Sequence, residues 1–162
     1  MKPTVYLRMV GQKQGQITGS VTSAPHRGTI EVIATAHEIV SPRDAASGLP
    51  TGKRMHKPFI ITKELDRSSP LLYNLLNTNE NITTWELGFW RPSANGGEKQ
   101  YYSVQLTNAS ISSITFGLSN QRNPDLDKKK AYEEIAFTYH KITWTWLDGA
   151  ITAEDDWEAS VS

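Results

Sequence analysis

The chain has 162 residues and no cysteine, and its 17 basic and 17 acidic side chains give a formal net charge of zero. Its length and its 38% hydrophobic content predict one globular domain over residues 1–162. The lack of cysteine excludes disulfides, thiolate zinc sites and cysteine nucleophiles. The balanced charge argues against a nucleic-acid partner, and no apolar run approaches the ~20 residues of a membrane helix. We therefore expect neither nucleic-acid binding nor membrane insertion.

The charges are unevenly distributed along the chain. Residues 1–58 hold eight Lys and Arg against three Asp and Glu, a net charge of +5, whereas residues 59–162 hold nine against fourteen, a net charge of −5. If the two halves occupy different parts of the surface, the opposite poles suit head-to-tail contact between copies. If the halves intermingle, the asymmetry carries no function. The N-terminus turns polar at Arg8 without the apolar segment of a signal peptide, so we expect cytoplasmic synthesis and any secretion without a cleaved leader.

Apolar and polar residues alternate with a period of two in several segments, which predicts half-buried strands. Strands at short spacing with turn residues between them favour an antiparallel sandwich or barrel. Tryptophans 85, 144 and 146 fall on core-facing positions of this pattern. The predicted strands cover residues 5–9, 30–34, 85–89, 102–106 and 109–116, with a hairpin turn at residues 95–97.

The longest strand signal runs from Glu133 to Trp146. Its apolar residues occupy odd positions up to Tyr139 and even positions from Ile142 onward. A strand that keeps one face buried cannot change parity, so the switch near residues 140–141 indicates a bulge or a change of sheet.

One segment has the pattern of a short helix. Ser69 is a candidate N-cap, Pro70 suits the first helical position, and leucines at 71, 72, 75 and 76 form an apolar stripe. Asn77 or Asn79 is expected to end the helix.

Two further segments lack strand or helix periodicity. Residues 41–58 form a predicted extended loop with a basic cluster, and an irregular stretch of this length usually has a function. Residues 148–162 form a predicted acidic C-terminal segment around Trp157. The basic cluster consists of Arg43, Lys53, Arg54, His56 and Lys57, and the acidic residues of the tail are Glu154, Asp155, Asp156 and Glu158.

Motifs for nucleotide and metal binding are incomplete. Residues 47–54 approach a phosphate-binding loop, but Ser47 replaces the first glycine and Arg54 replaces the magnesium-binding hydroxyl. His37-Glu38 begins a metalloprotease motif, but Ser41 occupies the second histidine position. The remaining histidines (His26, His56 and His140) have no ligand-spaced neighbour and are expected to be surface or strand residues.

No pair of acidic residues is placed for catalysis. Glu133 and Glu134 are adjacent on a predicted strand, so their side chains point to opposite faces. Asp155 and Asp156 lie in the predicted tail, and we expect both pairs to be solvated charge. The run of lysines at residues 128–130 is flanked by acidic residues and is expected to be a solvated turn. The chain also has no nucleophile elbow, so we expect no catalytic residue, no cofactor and no metal.

Six strings, spread over almost the whole chain, carry a resemblance to a known family. The longest contains a G-x-P-x-G-x-R-x-H-K-P stretch that begins at Gly48. Together the strings resemble the hemolysin-coregulated protein (Hcp) family of type VI secretion. They are residues 15–19, 37–38, 47–59, 69–74, 139–144 and 155–157.

The resemblance implies a structural function. Hcp proteins are small β-barrels of two packed sheets with one short helix. Six copies form a ring, and rings stack head to tail into a tube that a contracting sheath drives, behind a spike, from a baseplate into a neighbouring cell. The hole of the ring can hold small effector proteins. The protein is then cytoplasmic before firing and extracellular afterwards.

The family's extended loop suggests that residues 41–58 contact the adjacent ring. The expected contact residues are Arg43, Asp44, Lys53, Arg54 and His56. Reversing Lys53 and Arg54 to Glu is expected to leave rings intact and weaken stacking.

Two alternatives to a type VI secretion tube protein stay open. One is a monomeric β-barrel whose five tryptophans line a site for a small apolar ligand or a glycan, and the other is a phage tail tube protein with the same physical features.

Overall fold

A computed structural model of the protein describes residues 4–126 and 130–157. The prediction of a mainly antiparallel β fold with one short helix is confirmed. In chain order the elements are β1 (Thr4–Gly11), β2 (Gly15–Gln16), β3 (Ile30–Val32), β4 (Ala34–Ala36), β5 (Ile39–Val40), β6 (Met55–His56), β7 (Phe59–Glu64), α1 (Ser69–Asn77), β8 (Ile82–Pro92), β9 (Glu98–Thr107), β10 (Ser110–Gly117), β11 (Tyr132–Thr138), β12 (Lys141–Trp146) and β13 (Ile151–Asp156).

The strands form two main sheets. A seven-stranded sheet has the order β13-β12-β9-β8-β1-β2, with β3 also paired to β1. A four-stranded sheet has the order β10-β11-β7-β4, and β5 and β6 pair separately. Every described strand pair is antiparallel, and short turns join the paired neighbours β1 and β2, β8 and β9, and β12 and β13. The predicted hairpin turn between β8 and β9 is present, closed by a hydrogen bond from the Ser93 amide to the Gly97 carbonyl.

The core lies between the inner faces of the two sheets. Trp85 of the seven-stranded sheet is 1% exposed and packs edge-on against Phe59 and Phe137 of the four-stranded sheet. The ring centroids are 5.1 Å and 5.4 Å apart, within the range of favourable aromatic pairs. Trp144 packs against this core, but Trp146 is 39% exposed, so the prediction of a core position for Trp146 is wrong.

The chain changes sheet at two places. The parity switch near residues 140–141 is a change of sheet, because β11 belongs to the four-stranded sheet and β12 to the seven-stranded one. A second change occurs at Ile33, where a single strand over residues 30–34 was expected. There β3 pairs with β1, but β4 pairs with β7, and the Ile33 side chain is left 55% exposed between the two sheets.

The helix ends at Asn77, as expected, but its start differs from the prediction. It begins at Ser69 with Ser68 at the N-cap position, and neither side chain caps the helix amides. The Ser69 hydroxyl instead donates to Glu133 Oε1 over 2.9 Å, because a buried acceptor competes for it. Asn79 follows the helix with a positive φ of 51°.

Glu133 is not solvated charge, which corrects the expectation for the 133–134 pair. Its side chain is fully buried, and Lys63 Nζ, also fully buried, donates to Glu133 Oε1 over 2.6 Å. Asp66 lies 3.0 Å from the same ammonium. Glu134 is exposed on the opposite face of β11, as the strand geometry requires. The two carboxylates of the 133–134 pair therefore have unrelated environments.

Gly19, in the first of the six strings, lies against the backbone of the neighbouring segment. A Cβ atom at this position would approach the Thr29 carbonyl oxygen to 2.3 Å. Because that atom belongs to the backbone, it cannot move aside as a flexible side chain could. The close approach gives a physical reason for glycine at this point of the string.

Candidate functional site

Residues 41–58 form an extended loop whose two arms fold back on each other as a sparsely paired hairpin. β5 and β6 pair at Ile39 with His56 and at Val40 with Met55, and an isolated bridge joins Arg43 to Pro50. The pairing continues outward along the same two chain segments that form β4 and β7 in the four-stranded sheet. The segment is therefore the distal part of one long two-stranded ribbon. We call residues 41–58 the ribbon loop.

Residues 43–53 form the outer end of the ribbon loop, which we call its tip. Asp44 shapes this tip. Its Oδ2 accepts hydrogen bonds from the Ser47 amide and hydroxyl, over 2.9 Å and 2.7 Å. These bonds, led by the one from the hydroxyl, lower the pKa of Asp44. The Gly48 amide donates to the Asp44 carbonyl, and Gly48 has the positive φ of 74° that such a turn requires. The tip is therefore held by its own hydrogen bonds.

Residues 54–56 form the base of the ribbon loop, which we call its root. Arg54 and Asp155 join this root to β13. Arg54 Nε donates to Asp155 Oδ2 over 2.6 Å, and Nη2 donates to Oδ1 over 2.8 Å, a bidentate arrangement. The hydrogen bonds from Arg54 lower the pKa of Asp155, and a bond from His56 adds to the effect. Asp155 was expected to be solvated charge in a tail. That expectation is wrong, because Asp155 is paired with Ile142 within a sheet.

A chain of hydrogen bonds continues from Asp155 into the barrel. His56 Nε2 lies 2.7 Å from Asp155 Oδ2, His56 Nδ1 lies 2.6 Å from the Tyr139 hydroxyl oxygen, and His37 Nε2 lies 2.8 Å from the same oxygen. An ionised carboxylate can only accept, so His56 Nε2 donates to it. In neutral His56, Nδ1 then accepts from Tyr139, whose oxygen accepts from His37 Nε2. We call these four side chains the root network.

Burial and charge shift the pKa values of the root network. Burial, and then the charge of Asp155, raise the pKa of Tyr139, so that its hydroxyl remains protonated. Burial lowers the pKa of His37, and the nearby His56 lowers it further. Trp157 closes the network by donating its Nε1 hydrogen to the Tyr139 carbonyl. Together these contacts hold the ribbon loop root against the barrel.

The five predicted contact residues fall into two groups. Arg43 and Lys53 are exposed, and within residues 4–126 and 130–157 neither has an ion-pair partner. Arg54 and His56 point inward to Asp155, and Asp44 bonds to its own tip. Leu49, at the tip, is 64% exposed.

Sequence reasoning did not find the role of His37, Tyr139 and Asp155. They are far apart in the chain and fit no catalytic or metal-binding spacing. The available signal was their position in three of the six strings, at residues 37–38, 139–144 and 155–157. In the structure these strings meet at the root network.

The described residues include two surface grooves that do not match a ligand site lined by tryptophans. The larger, of about 390 Å³, is lined by Ile33, Glu64, Leu65 and neighbouring residues, none of them tryptophan. The smaller, of about 110 Å³, includes Trp90 and the buried His26, which contacts Glu98 over 3.0 Å. The monomeric ligand-binding alternative is therefore not favoured.

The described residues contain neither a group of side chains for a metal ion nor a helix that could span a membrane. Among them, no three His, Asp or Glu side chains are arranged to hold a metal ion. No helix in this part of the chain has the length and apolar character needed to cross a membrane. Lys128, Lys129 and Glu158, which entered the charge predictions, lie outside the described residues.

Comparison with known proteins gives one family. The family described as "Type VI secretion system effector, Hcp" matches residues 6–146. A protein of Pseudomonas aeruginosa named "Major exported protein" is 36% identical, and the match covers 100% of this chain and 99% of the relative.

Solved structures agree with this similarity. A structure described as that of an Hcp protein has a TM-score of 0.90 at 28% identity and covers 98% of this chain and 100% of its own. The Hcp1 protein of an Escherichia coli pathovar has a TM-score of 0.83 at 32% identity, over 95% and 98% of the two chains.

Proposed function

Because the chain belongs to the Hcp family of type VI secretion tube proteins, we propose that the ribbon loop is the part through which one ring of the tube contacts the next. In this function six copies close into a ring, and the rings stack head to tail. The whole of residues 1–162 acts as one structural domain, without catalysis.

One observation carries the assignment to the ribbon loop. Its root is fixed to the barrel by the root network and Arg54, while Arg43, Leu49 and Lys53 at its outer part remain exposed. A segment that is ordered and yet unpartnered is pre-organised for binding, so less conformational entropy is lost on contact. Arg54 and His56 act as positioning residues, and Asp44 shapes the tip.

Membership of the family supports a proposal for the wider assembly. In this proposal the protein is cytoplasmic before firing and is then exported through a machine with a sheath, a spike and a baseplate. Small effector proteins occupy the hole of the ring. A contact used once per subunit is repeated six times in a ring. Individually weak pairs of about 0–1 kcal/mol can therefore add up to a stable stack.

Charge reversal tests the loop assignment. Since Arg54 is engaged within the chain, the informative variant is Arg43→Glu with Lys53→Glu. We expect light scattering to show rings with the mass of six chains, and sedimentation to show fewer stacks than in the wild type. The matched control, Lys99→Glu with Arg122→Glu, makes the same charge change at exposed residues elsewhere. Undiminished stacking of the first variant would contradict the assignment.

A further inference from the structure

The larger groove has an unusual combination of side chains. Ile33 and Leu65 contribute apolar surface and are 55% and 45% exposed. Glu31, Glu64 and Asp66 are the charged side chains that line it, and all are acidic. We call this surface the acidic groove. Two exposed apolar side chains beside three carboxylates suit a partner that presents an apolar side chain together with cations.

The carboxylates of the acidic groove are not equally available. Asp66 lies 3.0 Å from the buried Lys63 and is compensated within the chain. Glu64 lies 4.0 Å from Lys130, whose side chain is 76% exposed, so their attraction is weak. Glu31 is exposed and has no ion-pair partner within the described part of the chain. Glu31 and Glu64 are therefore the groups available to a partner.

The tip of the ribbon loop presents apolar and cationic side chains, which complement the apolar and acidic side chains of the acidic groove. Leu49 is 64% exposed, and Arg43 and Lys53 lie on the two sides of the same hairpin, close to it in sequence. Asp44, the acidic side chain of the tip, is committed to Ser47. The tip thus offers one exposed apolar side chain and two exposed cations.

The two surfaces lie at opposite ends of one ribbon. The Ile33 amide donates to the Thr62 carbonyl at the end of β7 that borders the acidic groove, and Phe59 marks the other end of β7, next to the ribbon loop. At a rise of ~3.3 Å per residue, β7 alone separates them by about 17 Å, and the paired hairpin extends farther. A chain therefore cannot place its own tip in its own acidic groove.

We propose that the acidic groove receives the ribbon loop tip of a second copy of this chain in the adjacent ring. Leu49 of one copy packs against Ile33 and Leu65 of the other, and Arg43 and Lys53 face Glu31 and Glu64. This inference rests on the proposed function and adds the receiving surface to it. Such a contact joins two different surfaces at opposite ends, so it propagates into a filament without closing.

Disulfide trapping tests the proposal, because the chain has no cysteine of its own. Leu49→Cys is purified separately from Ile33→Cys and from Leu65→Cys, and the two preparations are mixed under conditions in which the wild type stacks and then oxidised. All three positions are exposed, so the substitutions should not disturb the core. A disulfide requires Cα atoms about 4.4–6.8 Å apart, so only a seated tip can form one.

We expect a band at the mass of two chains with the groove variants. The control, Ile151→Cys, is 68% exposed on β13 and should leave Leu49→Cys at the mass of one chain. Stacks that form without a cross-link to Ile33→Cys or Leu65→Cys would overturn the acidic groove and leave the proposed function standing. If the wild-type rings do not stack at any concentration, the proposed function fails, and the groove proposal fails with it.

Discussion

Asp155 accepts three hydrogen bonds from two side chains of the ribbon loop root: two from Arg54 and one from His56. These contacts favour its ionised form and lower its pKa. The resulting stabilisation is present above the ordinary pKa of an aspartate and is lost as the pH falls through the lowered value. Acid therefore weakens the attachment of the ribbon loop to β13.

His37 adds a pH dependence in a higher range. Its pKa is lowered in the folded protein by burial and by His56, so the native state holds its proton less tightly than the unfolded state does. Stability from this residue is complete above the ordinary pKa of about 6.5 and is lost as the pH falls below that value towards the lowered pKa.

We therefore expect the free energy of unfolding of the wild type to decrease between about pH 7 and pH 5. In His37→Gln this part of the decrease should be absent, because glutamine does not titrate. Urea unfolding at a series of pH values measures the difference. An identical pH profile for both proteins would contradict the role assigned to His37.

At the scale of the secondary-structure elements, the buried Lys63 and Glu133 connect β7, β11 and the start of α1. Both side chains are fully buried, and Ser69 of the helix donates to the same carboxylate oxygen. A buried ion pair does not guarantee stability, because both charges lose their hydration. Removing one partner is nevertheless costly, because it leaves the other charge buried and unpaired.

Lys63→Met should therefore lower the free energy of unfolding by about 3–5 kcal/mol. The double variant Lys63→Met with Glu133→Leu should recover most of this loss, because no uncompensated charge remains. Urea denaturation measures both, and Glu134→Gln, on the exposed face of β11, serves as a control with little effect. A double variant no more stable than Lys63→Met would show that the pair does not act through charge burial.

The periodic elements could be predicted from the sequence, and the long-range pairings could not. The turn at residues 93–97, the helix leucines and the sheet change after Thr138 each leave a local pattern within a few residues. The sheet change at Ile33 does not, because the alternation continues while the strand exchanges β1 for β7 as its partner. The burial of Glu133 depends on Lys63, 70 residues away, so no local pattern reports it.

The candidate site, too, could be predicted from the sequence only in part. The resemblance to the family predicts a contact role for residues 41–58, and the cationic residues there are evident from the sequence. Which of them face outward was not visible, because the answer depends on Asp155, 101 residues from Arg54. The acidic groove was also hidden, because it joins residues on both sides of the ribbon at a sheet change.

At the scale of the whole molecule, the two charged surfaces give the barrel a direction. The tip of the ribbon loop is cationic and the acidic groove is anionic, and they lie at opposite ends of the same ribbon. The uneven charge of the sequence therefore corresponds partly to a spatial polarity, although Glu31 of the basic half lies in the acidic groove. Copies arranged head to tail bring opposite charges together, whereas the reversed arrangement opposes like charges.

Stacking should therefore weaken as the salt concentration rises. Between ~0.1 M and ~1 M salt the screening length falls from about 10 Å to about 3 Å, which reduces the attraction between exposed charges. We expect the fraction of sedimenting stacks to fall over this range, while circular dichroism shows an unchanged fold. Stacking that strengthens with salt would indicate an apolar contact in place of the charged one.

The attachment of the ribbon loop to β13 also bears on the order of events during synthesis. Asp155, to which the root of the loop is fixed, is translated 101 residues after Arg54. A nascent chain can form the tip early, yet it cannot make the contacts of Arg54 and His56 to β13 until Asp155 has been added. Chains truncated before Asp155 therefore lack the hydrogen bonds that hold Arg54 and His56 of the ribbon loop.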